Sequence, residues 1–149
     1  MKSFINTGLF SYDCVGYFGN TCGVPTPVWR HLTRFSWETP WNVTVAAGWR
    51  FLGPVTEDAG SPNEALVNPA RFAQEKQVGI DRIPSRNYLD LGVTWKVRKW
   101  VTFIAGVNNV FDKEPPFAPG SSPNDYGTGF YGTYDALGRY IHTGIQLTF

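Results

Sequence analysis

The chain has 149 residues, of which 16% are aromatic and only 17% are charged, and it contains 16 Gly and 11 Pro. Glycine and proline at this level argue against a helical protein, and no apolar run approaches the roughly 18 residues that a membrane-spanning helix needs. A net charge of +1 gives no electrostatic case for binding nucleic acid. Composition leaves open a membrane β-barrel, whose strands are only half apolar, and an aromatic-rich soluble β-sandwich.

The N-terminal part of the chain gives weak strand signals and one clear loop. Residues Lys2–Tyr12 suggest a strand, although their alternation is poor. Cys14 and Cys22 follow in a segment rich in Gly, Asn and aromatic residues, and we expect them to form a local disulfide, as in an exported protein. No apolar h-region follows Met1, so the membrane interpretation predicts a fragment whose export signal lies upstream.

Five segments alternate between apolar and polar residues over about ten positions, the length of a tilted strand that crosses a bilayer. They are Trp29–Glu38, Trp41–Phe51, Tyr88–Arg98, Trp100–Val110 and Arg139–Phe149. In each strand one face is mainly apolar or aromatic, and the other face carries most of the polar residues and the glycines. The last strand is predicted to turn five residues towards lipid: Ile141, Thr143, Ile145, Leu147 and Phe149.

The connections between these strands alternate in length. Thr39-Pro40 and Arg98-Lys99-Trp100 are short, whereas Gly53–Asn87 and Asp112–Gly138 are long and polar and are expected to lack regular structure. Such long connections are uncommon in compact soluble domains, and this pattern is typical of the periplasmic turns and extracellular loops of outer-membrane barrels. It predicts a periplasmic C-terminus and places the two-cysteine loop outside the cell.

Strand number completes the prediction of fold class. Five or six strands cannot close a barrel, since the smallest single-chain membrane barrels have about eight. An open sheet in lipid would also leave two unpaired backbone edges. We therefore expect an all-β fold, namely a fragment of an antiparallel transmembrane β-barrel.

Two C-terminal stretches carry a family resemblance. GVNNVFDKEPPF (Gly106–Phe117) and YDALGRYIHTGIQLTF (Tyr134–Phe149) look like the C-terminal signature of TonB-dependent outer-membrane receptors, and the stretch CGVPTPVWRHLTRFSWETPWNVTVAAGWRFLG also resembles receptors of this class. The resemblance covers nearly the whole chain. The matching positions are Gly106, Asn108, Asn109, Phe111, Asp112, Pro115, Tyr134, Asp135, Gly138 and Arg139.

The resemblance implies a function and a set of partners. It implies a barrel of about 22 strands in the bacterial outer membrane, with a plug domain, that takes up a siderophore, cobalamin or carbohydrate with energy from the TonB complex. The plug, the TonB box and the signal peptide are expected to be absent from these residues. Ile145, Leu147 and Phe149 resemble the signal read by the barrel-assembly machinery. The alternative is that they belong to a last strand that closes the barrel by pairing with its first strand, and both roles are compatible. Other implied partners are outer-membrane lipid, the remainder of the barrel and the unknown transported ligand.

The motif residues also have physical interpretations that favour structural roles over ligand contact. Asn108 and Asn109 are suited to bonding nearby backbone where the strand ends, and Phe111 is suited to the membrane interface. Asp135 and Gly138 suit a turn. Arg139 suits the polar rim, and Pro115 suits the end of strand pairing.

Ligand contact is predicted only weakly. Tyr126, Phe130 and Tyr131 cluster with Tyr134 in the last long loop. Aromatic rings at such a position are suited to stacking on a sugar or an aromatic siderophore. Packing within the loop is the favoured alternative. The ligand class is left open by the sequence.

Other chemical signals are weak. Gly127–Gly132 fits G-x-G-x-x-G but has no helical pattern after it. Glu57 and Asp58 are adjacent carboxylates in a polar loop, where solvation is the expectation, and His31 and His142 are expected to pack at the interface or in the lumen. No catalytic constellation or metal-ligand spacing appears, so we expect neither an enzyme nor a cofactor or metal. A soluble carbohydrate-binding β-sandwich module is the alternative function, and a hydrolase is a weaker third.

Overall fold

The computed structural model describes residues 4–6, 11–117, 130 and 132–149. In chain order the strands are β1 (Phe4–Asn6), β2 (Ser11–Asp13), β3 (Tyr17–Phe18), β4 (Arg30–Glu38), β5 (Val43–Leu52), β6 (Val55–Glu57), β7 (Arg82–Ile83), β8 (Arg86–Arg98), β9 (Val101–Asn108) and β10 (Tyr140–Leu147). A 3-10 turn at Asp58–Gly60 and the helix α1 (Pro69–Val78) lie between β6 and β7.

The chain divides into two compact units. The sheet unit comprises His31–Phe51, Asn87–Glu114 and Leu137–Phe149, and the loop unit comprises Met1–Arg30, Leu52–Arg86 and Pro115–Ala136. The fold is mostly antiparallel β-sheet, and the sheets are not closed. The predicted fold class is therefore confirmed.

The sheet unit is built on one five-stranded sheet with the order β10-β9-β8-β5-β4. Its strands lie within a few residues of the five predicted segments, because alternation over nearly ten residues is a strong local signal. The pairing keeps the predicted faces: Trp95 lies opposite Phe103, which in turn lies opposite Ile145. A bulge between Lys96 and Arg98 shifts the register near the short turn that leads to β9.

The loop unit holds the small hydrophobic core, and its sheets were not predicted. Tyr12, Cys14, Cys22 and Leu66 form a buried cluster. β3 runs parallel to β6, and β6 pairs antiparallel with β7. The single strand suggested for Lys2–Tyr12 is wrong, since its described residues belong to the separate, mutually antiparallel strands β1 and β2.

The Gly53–Asn87 connection is structured, contrary to the expectation from sequence. Asn68 caps α1 by accepting a hydrogen bond from the Arg71 backbone N–H at 3.1 Å, and Pro69 occupies the first turn. Gly79 ends the helix in the left-handed region at φ 74°. None of the ten helical residues is buried, so the helix lacks the apolar stripe by which sequence periodicity reveals a helix. Within the described residues, no helix has the length and apolar character to cross a membrane.

Candidate functional site

The five-stranded sheet has two chemically different faces. Its apolar face consists of the odd-numbered residues in 31–37, 43–51, 89–95, 101–107 and 141–147, and none of these is Asp, Glu, Lys or Arg. Ten large side chains on this face remain between 41% and 66% exposed: Phe35, Trp37, Trp49, Leu91, Val93, Trp95, Phe103, Ile141, Ile145 and Leu147. An apolar surface of this extent marks a contact with another apolar phase or molecule.

An aromatic cluster lies at one end of the apolar face. The His31 ring meets Trp49 edge-on at a centroid distance of 4.7 Å and stacks on Phe51 at 5.3 Å. Trp49 Nε1 donates a hydrogen bond to Asn87 Oδ1 at 2.9 Å. His31 thus packs against two aromatic rings of the same sheet.

The opposite, polar face carries a shallow groove of about 420 Å³. Its polar lining includes Arg34, Ser36, Arg50, Asp90, Asn108 and His142. Arg50 forms a two-point ion pair with Asp90, with Nε–Oδ2 at 2.9 Å and Nη2–Oδ1 at 3.1 Å. Arg34 has no ion-pair partner among the described residues, so the groove presents one uncompensated guanidinium to a polar or anionic partner.

The central motif residue, Asn109, closes the turn that follows β9. Its side chain is fully buried and its backbone is left-handed at φ 51°. Its Nδ2 donates to the Lys113 carbonyl and its Oδ1 accepts from the Lys113 N–H, both at 2.9 Å. Its own backbone N–H donates to Asp90 Oδ1 at 2.9 Å. Asn109 therefore bonds nearby backbone in the way its sequence position suggests.

The other motif residues fall into two groups. Gly106, Asn108, Phe111, Asp112, Gly138 and Arg139 belong to the sheet unit, whereas Pro115, Tyr134 and Asp135 belong to the loop unit. Asp112 Oδ1 accepts the Arg139 backbone N–H at 2.7 Å, and Phe111 is exposed. The proposed assembly-signal residues Ile145 and Leu147 lie exposed on β10, and Phe149 follows them, also exposed.

In the loop unit Cys14 and Cys22 are joined by a disulfide, and both are buried. Asp58 Oδ2 accepts the backbone N–H groups of Thr21 at 2.7 Å and Cys22 at 2.8 Å. One carboxylate thus holds the end of the disulfide loop.

The expectation that Glu57 and Asp58 are solvated is wrong. Both are buried, with exposed fractions of 0% and 1%. Glu57 accepts the Ala59 N–H at 2.8 Å and pairs with Arg71 of α1, while Arg71 Nη2 lies 3.6 Å from Asp58 Oδ1 and Arg71 Nε lies 2.9 Å from Glu75 Oε1. The helical guanidinium and the backbone donors compensate the carboxylates. The local sequence carries no signal for this burial, because Arg71 and the amides of Thr21 and Cys22 are distant along the chain.

Of the three suggested ligand-contact residues, Phe130 lies within the described structure. Phe130 is buried and packs edge-on against Phe18 with centroids 5.7 Å apart, which is loop packing. Tyr126, Tyr131 and most of the Gly127–Gly132 motif lie outside the described residues. Among the residues that are described, no group of three or more His, Cys, Asp or Glu is placed to hold a metal ion.

Comparison with known proteins gives one structural likeness. No family model matches the chain, and no curated protein matches it. A crystal structure of a point variant of the ferric enterobactin receptor from Pseudomonas aeruginosa superposes over 98% of this chain, with a TM-score of 0.59 and 17% sequence identity. The chain spans 21% of that receptor's length. The likeness shows that this chain has the fold of a segment of that receptor.

Proposed function

We propose that this chain forms C-terminal strands of a TonB-dependent receptor barrel in the bacterial outer membrane, and that it serves ligand uptake rather than enzymatic catalysis. The observation that carries the proposal is the pairing of two faces on one sheet: an exposed apolar face without a single charge, and a polar face with a charged groove. Lipid-facing and lumen-facing residues alternate in this way along the strands of a membrane barrel.

Energetics favour lipid over water for the apolar face. Removing a large apolar side chain from water is worth about 1.5–3 kcal/mol, and ten such residues on this face are exposed. A soluble β-sandwich would bury these residues against a second sheet. Their exposure therefore supports the membrane proposal over the carbohydrate-binding module.

The open edges of the sheet indicate the nearest partners. β4 and β10 stand at the two ends of the strand order in the described sheet. Unpaired backbone groups in hydrocarbon cost several kcal/mol each, so we infer that further barrel strands cover both edges. The polar groove would then face the lumen and a plug domain, and Ile145, Leu147 and Phe149 would be available to the barrel-assembly machinery. A ferric siderophore is the first ligand class to test, because the structurally similar receptor takes ferric enterobactin.

Topology labelling in cells tests the proposal. A cysteine introduced as Glu64→Cys should be extracellular and react in intact cells with a maleimide polymer too large for outer-membrane pores. A cysteine introduced as Lys99→Cys, in the short turn before β9, should react only after the outer membrane is permeabilised. The native cysteines are paired and give no background. Recovery of the protein in the soluble fraction, or reaction of Lys99→Cys in intact cells, would refute the membrane assignment.

Uptake itself needs a separate measurement. Cells that depend on this protein should accumulate a radiolabelled ferric siderophore, and the accumulation should stop when the proton motive force is dissipated. Unchanged accumulation after deletion of the gene would exclude that ligand class.

A further inference from the structure

The register between β9 and β10 cannot come from a tight turn. Residues 109–139 separate the two strands, whereas a hairpin register is normally fixed by a loop of a few residues. Alternation also leaves an ambiguity. A shift of one residue would put apolar side chains on the polar face, but a shift of two residues keeps every side chain on its proper face.

On the polar face, the sizes of the paired side chains differ between these registers. His142 lies directly opposite Gly106, and Gly144 lies directly opposite Ile104. A Cβ atom added to Gly106 would come within 2.5 Å of His142 Cε1 and Nε2, so the imidazole occupies the space that a side chain there would fill. Each bulky side chain thus faces a glycine.

Registers shifted by two residues lose this fit. In one direction His142 would lie opposite Ile104, and two bulky side chains would compete for one space. In the other direction Gly144 would lie opposite Gly106, leaving an unfilled gap between the two glycines. Collisions and voids both destabilise packed side chains.

A second contact fixes the start of β10. Asp112 is left-handed at φ 53°, and its backbone N–H donates to the Asn109 carbonyl at 2.9 Å. Its carboxylate accepts the N–H of Arg139, the residue directly before β10, at 2.7 Å. A Cβ atom on Gly138, where φ is 65°, would lie 2.7 Å from the same Asp112 oxygen. The carboxylate therefore needs glycine at position 138 for its close approach.

We propose that these two contacts, Gly106 with His142 and Asp112 with Gly138-Arg139, form a register lock for the last strand. The lock selects one pairing of β10 with β9 whatever the conformation of the long connection between them. In a closed barrel, register sets the stagger of the strands and thereby the shape of the barrel. That last consequence rests on the proposed function, whereas the lock itself does not.

Cysteine cross-linking reads the register directly. Ala105 lies opposite Thr143, so the pair Ala105→Cys/Thr143→Cys reports the native register. The pairs of Ala105→Cys with Ile141→Cys and with Ile145→Cys report shifts of two residues in either direction. Each pair is introduced into the protein as its gene encodes it, oxidised in membranes, and its cross-linked fraction is measured by mass spectrometry.

The lock is broken with Asp112→Ala/His142→Ala. The ratio of native to shifted cross-links should fall by roughly fivefold or more, the factor that corresponds to losing one hydrogen bond of about 1 kcal/mol. A matched control is Glu114→Ala/Gln146→Ala, which alters the same two segments outside the lock and should keep the native ratio. Asp112→Asn keeps an oxygen acceptor and should also keep it.

Three outcomes decide the proposal. A native ratio in the lock-breaking variant refutes it, and so does an equal loss in the control. If the double variant does not accumulate, Asp112→Ala and His142→Ala are measured singly, and native ratios in both refute the lock. Cell fractionation separates this result from the proposed function, because a soluble protein with the native register contradicts the membrane assignment and leaves the lock intact.

Discussion

Arg71 provides the sharpest test of how the loop unit is held together. Its guanidinium is the cation beside Glu57 and Asp58, whose side chains are each only 1% exposed. Replacing Arg71 by Met keeps a long side chain and a good helix former but leaves two buried carboxylates without their cation. We expect the loop unit to open locally, because buried charge without a partner is costly.

The magnitude follows from the burial of the pair. Breaking a buried ion pair by removing one partner costs about 3–5 kcal/mol. The lower end applies here because Arg71 keeps 24% of its side chain exposed and is partly solvated already. A cost of about 3 kcal/mol corresponds to a roughly 100-fold larger population of the opened state.

Hydrogen–deuterium exchange measures this change. The amides of Thr21, Cys22 and Ala59 donate to the carboxylates of Asp58 and Glu57, so their exchange should accelerate by roughly the same 100-fold. Lys76→Met is the control, since it removes one exposed positive charge from the same helix and should leave these amides protected. Equal exchange rates in the two variants would show that Arg71 does not compensate the buried carboxylates.

Three further predictions concern the sheet, the disulfide and the motif turn. Val93→Arg places a charge near the middle of the apolar face; under the proposed membrane assignment it should cost about 2–4 kcal/mol and lower the folded fraction recovered from membranes. Thr94→Arg on the polar face should be tolerated, and equal yields would contradict the assignment of faces. Cys14→Ser should lower the stability of the loop unit by about 2–3 kcal/mol, seen as faster proteolysis of this unit than in the wild type, and unaltered resistance would show that the disulfide adds little. Asn109→Ala removes two hydrogen bonds to the backbone of Lys113 and should cost about 1–3 kcal/mol in total. The expected sign is faster exchange of the Lys113 amide, which would stay protected if other contacts hold the turn.

Much of the sheet could be predicted from sequence because its signal is local. Alternating residues such as Leu91, Val93 and Trp95 point to one face in any strand, and the partner strands carry the same period. The hydrogen bonding of Asn109 to nearby backbone was also predictable, since a short polar side chain at a strand end readily makes such bonds. The ends of the strands were predicted less accurately, because turns decide where a strand begins and stops. The strand β5 begins at Val43 rather than Trp41, because Asn42 takes a left-handed conformation in the turn.

The secondary structure of the loop unit could not be predicted from sequence patterns in the same way. The helix α1 had a cap at each end, Asn68 and Gly79, yet no apolar stripe drew attention to it. The parallel pairing of β3 with β6 joins segments far apart in sequence, and nothing in either segment specifies the other.

By itself, then, the sequence determined which residues share a face of the sheet and which of those faces is free of charge, because both follow from a period of two along each strand. Only the tertiary structure decided the burial of Glu57 and Asp58 and the register of β10 against β9. Each depends on groups brought together from distant positions: Arg71 and the amides of Thr21 and Cys22 in one case, and Asp112 with Arg139 in the other. Burial and register are set by which segments meet in space, and no local period of the sequence encodes that.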